Sequence, residues 1–70
     1  MDILDLHGVK HRDVEYLVDI FIRKNHNNLP VEIITGNSLD MQAEVKKVIT
    51  NYGLKMNPKS YFNLGSYIIK

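Results

Sequence analysis

The stretch Val31-Glu32-Ile33-Ile34-Thr35 constrains the fold most. Four of its five residues are β-branched and three are apolar, the composition of a strand covered on both faces or central in a sheet. Two segments of helical period bracket it. Upstream, Val14, Leu17, Val18, Phe21 and Ile22 fall at i, i+3, i+4, i+7 and i+8, which predicts an amphipathic helix from about Arg12 to Lys24. Asp13 and Glu15 in its first turn and Arg23 and Lys24 in its last suit the helix dipole. Downstream, Met41, Val45, Val48, Ile49 and Tyr52 form the stripe of a second helix, which Gly53 stops.

Shorter signals complete the order. Asp2–Leu6 alternates as a strand, with Leu4 and Leu6 on one face and Ile3, Asp5 and His7 on the other. Leu54 and Met56 alternate with polar residues as a short strand. Asn57-Pro58-Lys59 predicts a turn, and Tyr61–Ile69 a final strand. The order is strand, helix, strand, helix, strand, strand. Two strands joined by a helix are expected to run parallel. The predicted fold is therefore an α/β two-layer sandwich, with two helices on one face of a four-stranded mixed sheet and the other face partly open.

Size and composition fix the class. Seventy residues leave room for one domain, residues 1–70, and a chain this short buries only ~60% of the surface its unfolded form exposes. The absence of cysteine excludes a disulfide framework, a thiolate nucleophile and a cysteine-based zinc site, so packing must hold the fold together. No apolar run is long enough for a membrane span, and the N-terminus lacks a signal peptide's apolar stretch, so the expected setting is cytoplasmic. The net charge is only +1, but residues 1–35 carry six acids and four bases (−2), whereas residues 36–70 carry two acids and five bases (+3). That basic half can meet phosphates, although lysines on a solvated face look the same in sequence.

In an open α/β sheet, ligands gather beyond the carboxyl ends of the parallel strands. Two segments stand there. Asp5 and His7, two apart on a strand, pair a carboxylate with an imidazole for acid–base work. Gly36-Asn37-Ser38 follows Thr35 and opens a helix, where backbone N–H groups and the positive dipole end favour an anion. Capping by Asn37 or Ser38 explains the same two residues, but not Gly36 directly after a buried strand. Gly8 ends the first strand, and Lys10, His11 and Arg12 set nitrogen-rich side chains beside it, suited to clamping phosphate. No third His or acid stands at a spacing that completes a metal site with Asp5 and His7. Tyr61, Phe62 and Tyr67 are expected in the core rather than on a stacking surface.

The segments Ile3-Leu4-Asp5-Leu6-His7-Gly8 and Ile33-Ile34-Thr35-Gly36-Asn37-Ser38 resemble the two signature motifs of the Smr (small MutS-related) domain, an L-D-L-H-G and a T/H-G-x-G separated by a helix. Asn63-Leu64-Gly65-Ser66-Tyr67-Ile68-Ile69 is similar to that family's Gly-containing last strand, so the resemblance covers nearly the whole chain. It implies a fold similar to the C-terminal domain of bacterial translation initiation factor three. It also implies DNA or RNA as partner and endonuclease (nicking) activity, with Asp5 and His7 as the catalytic pair. Thr35 and Gly36 then fall on the phosphate-binding turn. Some members of the family need a divalent cation, such as Mg2+ or Mn2+, and others do not. The second glycine of T-G-x-G is Ser38 here. A non-catalytic nucleic-acid-binding adaptor using the same surface is the alternative.

Overall fold

The computed structural model describes all 70 residues. Strand β1 (Ile3–Asp5) leads to helix α1 (His11–Asn25), strand β2 (Val31–Ile34) and helix α2 (Leu39–Asn51). A hairpin of β3 (Met56–Ser60) and β4 (Asn63–Ile69) completes the chain. The four strands form one sheet in the order β1-β2-β4-β3. β1 and β2 are parallel, with Leu4 opposite Ile33, while β4 runs antiparallel to both β2 and β3. The α/β sandwich read from the periodicities is the observed fold.

Alternation decides which side chains meet the helices. Val31 and Ile33 of β2 are fully buried, as is Ile69 opposite Val31 on β4. They pack with Leu6, with Val14, Val18 and Ile22 of α1, and with Met41, Val45, Val48 and Ile49 of α2. These last two sets are the buried parts of the helical stripes; Leu17 and Phe21 lie half-buried at the margin. Fully burying such aliphatic side chains contributes ~1.5–3 kcal/mol each, and the core consists of little else.

The opposite sheet face carries Glu32, which the sequence presents as one polar residue in an apolar run. It is only 5% exposed. Its carboxylate accepts from the Ser66 hydroxyl of β4 and from the Lys59 ammonium of β3, the latter at 3.2 Å to both oxygens. Those bonds replace the water that Glu32 loses on folding. Ser66 and Lys59 hold its carboxyl below the usual glutamate range, against the upward push of burial.

Three expectations need correction. Pro58 is not in a turn: it lies within β3, opposite Tyr67. β3 is the outermost strand, where a residue without an N–H is tolerated, and the register shifts between Pro58 and Ser60. The turn falls three residues later, at Tyr61-Phe62, so β4 begins at Asn63 rather than Tyr61. Tyr61 and Phe62 are therefore not core residues; only Tyr67 of the three packs against the core. Helix α1 also runs one residue past the expected Lys24, to Asn25. That residue is buried, and its side-chain amide donates to the Phe21 carbonyl at 3.0 Å.

Candidate functional site

The parallel pairing of β1 and β2 brings their carboxyl ends side by side. Asp5 stands opposite Ile34, and the Leu6 N–H donates to the Ile34 carbonyl at 2.9 Å, one bond past the strand. Both strands then turn into helices at the same end of the sheet. Within that end, the segments 5–8 and 35–38 are neighbours, as the sequence predicts.

The first turn is closed by the Val9 N–H on the Leu6 carbonyl at 3.0 Å, with His7 and Gly8 at its corners. Gly8 has φ +79°, a conformation that side chains resist. His7 therefore sits on the turn, past the end of β1, and is exposed. The Asp5 carboxylate accepts from the main-chain N–H of His7 at 2.9 Å. Asp5 thus fixes the backbone that carries the imidazole, where the sequence reading has it hold the ring itself. Lys10 is exposed at the N-cap of α1 and gives that helix no side-chain cap. Arg12 leans to the helix side, lining a shallow groove of about 430 Å3 with His11, Glu15 and Glu44.

The second turn is braced from three sides. Thr35, buried, shares its one hydroxyl proton between the Gly36 carbonyl at 2.9 Å and the Gly65 carbonyl at 3.3 Å. The Thr35 and Gly36 N–H groups both donate to the Gly65 carbonyl, at 2.8 and 3.0 Å. Gln42 of α2 reaches back to donate to the carbonyls of Gly36 and Leu64, each at 3.1 Å. Gly36 takes the left-handed position (φ +67°); Asn37 does not. Ser38 is the N-cap of α2, its hydroxyl accepting from the Met41 N–H at 3.2 Å.

These bonds decide which amides remain open to a ligand. The Gly36 N–H is committed to Gly65, which corrects its expected part in holding a phosphate. The N–H groups of Asn37, Ser38, Leu39 and Asp40 have no acceptor within the chain. They lie at the positive end of α2, so the amides free to meet a ligand begin one residue downstream of Gly36. No three His, Asp or Glu side chains converge anywhere in the chain to form a metal set, and Asp5 with His7 supplies two at most.

Gln42 and Gly65 belong to the site's frame, yet no sequence motif points to Gln42. Only the β2–β4 register, which sets Gly65 beside Gly36, reveals its place. A Cβ on Gly65 would stand 3.0 Å from the Gly36 carbonyl carbon, so β4 meets the turn backbone to backbone. No family model, no curated protein and no solved structure matches this chain. No helix is long and apolar enough to cross a membrane.

Proposed function

We propose that the chain is a nucleic-acid-binding domain that receives a backbone phosphate at the shared carboxyl end of β1 and β2 and nicks the phosphodiester there. The observation that carries this reading is the open row of amides at Asn37–Asp40, set one strand away from an exposed histidine on a turn fixed by Asp5. The likeness of the two strand ends to the Smr motifs supports it.

In this scheme the amides and the α2 dipole hold the phosphate, and Lys10, with Arg12 further round α1, offsets its charge. His7 takes a proton from the attacking hydroxyl or water, or gives one to the leaving oxygen. Asp5 is a positioning residue, acting through the main chain of His7. The side chains present do not form a metal set, and this scheme uses the chain's own groups alone.

One observation favours a second reading. Asp5 bonds the main chain rather than the imidazole, so His7 lacks the carboxylate partner that would set its tautomer. A binding adaptor needs no such partner.

The deciding experiment is cleavage of end-labelled RNA and supercoiled plasmid, with and without Mg2+ or Mn2+, by the wild type and by folded His7→Ala. Cutting by wild type alone supports the nicking reading. Cutting that persists undiminished in His7→Ala overturns the role of His7. Binding without cutting by either protein assigns the adaptor. Its affinity then falls with salt, by roughly 0.7–0.9 log units per log unit of salt for each phosphate contacted.

A further inference from the structure

The β3–β4 turn places two aromatic side chains almost wholly in solvent, Tyr61 at 95% and Phe62 at 99% exposure. Exposed aromatic residues are ordinary one at a time; two adjacent ones at the tip of a hairpin are not. They also occupy a loop whose chemistry asks for something else. Ser60 pairs with Asn63, which leaves a two-residue connection, where Asn-Gly or another glycine pair matches the strand twist. Here neither loop residue has positive φ, and the adjoining strand carries a register shift. The turn thus forgoes its favoured residues for two side chains that bury almost nothing. Such conflicts between local rule and observed residue mark functional or strained positions.

The location of the tip names its use. β4 runs antiparallel to β2, so its first residues lie at the same end of the sheet as the Gly36 turn. Gly65 touches Gly36, and Phe62 is three residues before it. At ~3.3 Å per strand residue the tip stands roughly 10 Å from the turn, about the length of three stacked nucleotides at ~3.4 Å each. Leu64, exposed beside the tip, forms a shallow apolar hollow with Pro58, Ser60 and Tyr61.

We infer that Tyr61 and Phe62 are a stacking platform for unpaired bases, so that the substrate is a single strand, or the unpaired part of one, running from the tip to the phosphate turn. The inference rests on the phosphate-binding reading above and gives it a substrate class. A duplex hides its base faces within its own stack; a flexible strand presents them, and any base can stack on an aromatic ring.

The test uses fluorescein-labelled twelve-nucleotide strands of three kinds: single-stranded thymidylate, the same length with abasic sites in place of the bases, and a duplex. Anisotropy is read for the wild type, Tyr61→Ala, Phe62→Ala and Phe62→Trp. The wild type is expected to prefer the base-bearing single strand, and each alanine variant to lose about 5- to 150-fold on it. Affinity for the abasic strand stays unchanged in the variants, because its phosphates still meet the turn. The chain has no tryptophan of its own, so the indole introduced by Phe62→Trp reports stacking through its emission, which the thymidylate strand quenches and the abasic strand does not.

Equal binding of thymidylate and abasic strands by the wild type overturns the platform and leaves the phosphate reading standing. Absence of binding to either strand overturns both. A concentration-dependent dimer that Phe62→Ala dissolves, with no change in strand affinity, overturns the platform and assigns the tip to self-association.

Discussion

Replacing Gly65 by alanine tests the contact that joins β4 to the site. An added Cβ would lie 3.0 Å from the Gly36 carbonyl carbon and 3.1 Å from its Cα and oxygen. All three are backbone atoms, so none can swing aside as a side-chain tip can. The two strands are also tied at this point by the Thr35 and Gly36 N–H groups on the Gly65 carbonyl. Relief therefore requires the turn to shift against its own hydrogen bonds. Forcing an extra carbon into a packed region costs ~1–3 kcal/mol. Replacing a strand glycine returns ~0.5–1 kcal/mol of backbone entropy, which leaves a net loss of about 1 kcal/mol at mid-range and at most about 2.5 kcal/mol. For a domain of this size, with total stability on the order of 4–10 kcal/mol, that is a sizeable share. The mid-range loss corresponds to a fall of about 4–8 °C in melting temperature. Thermal unfolding followed by circular dichroism reads the shift, and urea titration shows whether the midpoint falls at constant slope. A melting temperature that is unchanged or raised in Gly65→Ala would refute the proposed close contact. So would unmoved amide resonances at Asn37–Asp40, since those groups ride on the displaced turn.

Two other perturbations probe single interactions. Ser38→Ala removes the α2 cap and is expected to cost about 1 kcal/mol; Ser38→Asp keeps a cap oxygen and so keeps stability, while its charge repels a phosphate at the neighbouring amides. A Ser38→Asp protein that melts like wild type and binds nucleic acid equally well would remove the turn from the interface. Glu32→Gln weakens the bonds to Lys59 and Ser66 and is expected to cost about 1–2 kcal/mol at neutral pH. Because the folded carboxyl titrates below its unfolded value, its contribution is complete above the ordinary glutamate range and shrinks as pH falls through the folded value. Glu15, beside Lys47, and Asp19, beside the Tyr52 hydroxyl and Arg23, are lowered too, so the informative quantity is the gap between wild type and Glu32→Gln. Urea titrations from pH 7 to pH 3 should show that gap closing; a constant gap contradicts the assignment.

Much of the fold is legible in the sequence because periodicity reports burial directly. The stripe from Val14 to Ile22 and the β-branched run from Val31 to Thr35 each admit one way of covering their apolar side. Where the reading departs from the structure, long-range pairing overrides a local signal. Pro58 signals a turn only until β3 is known to be the edge strand. Phe62 reads as core until Ser60 is paired with Asn63. For the site, spacing alone brings Asp5–Gly8 and Thr35–Ser38 to one end of the sheet. Spacing does not show that the Gly36 N–H is spent on Gly65, or that Asp5 reaches the main chain of His7. Those facts depend on strand register and side-chain rotamer, and neither is encoded in a motif.

The uncovered sheet face has a bearing on how copies of this domain behave together. Ile3, Ile34 and Ile68 surround Glu32 on that side, and without it they would make a flat aliphatic surface suited to stacking against another sheet. The Lys59 side chain stays 50% exposed while its ammonium holds Glu32. Any sheet laid over this face would have to strip the remaining water from that ammonium and offer nothing in return. One ion pair thus sets a desolvation cost against stacking on a face where Ile3 still stands more than half exposed.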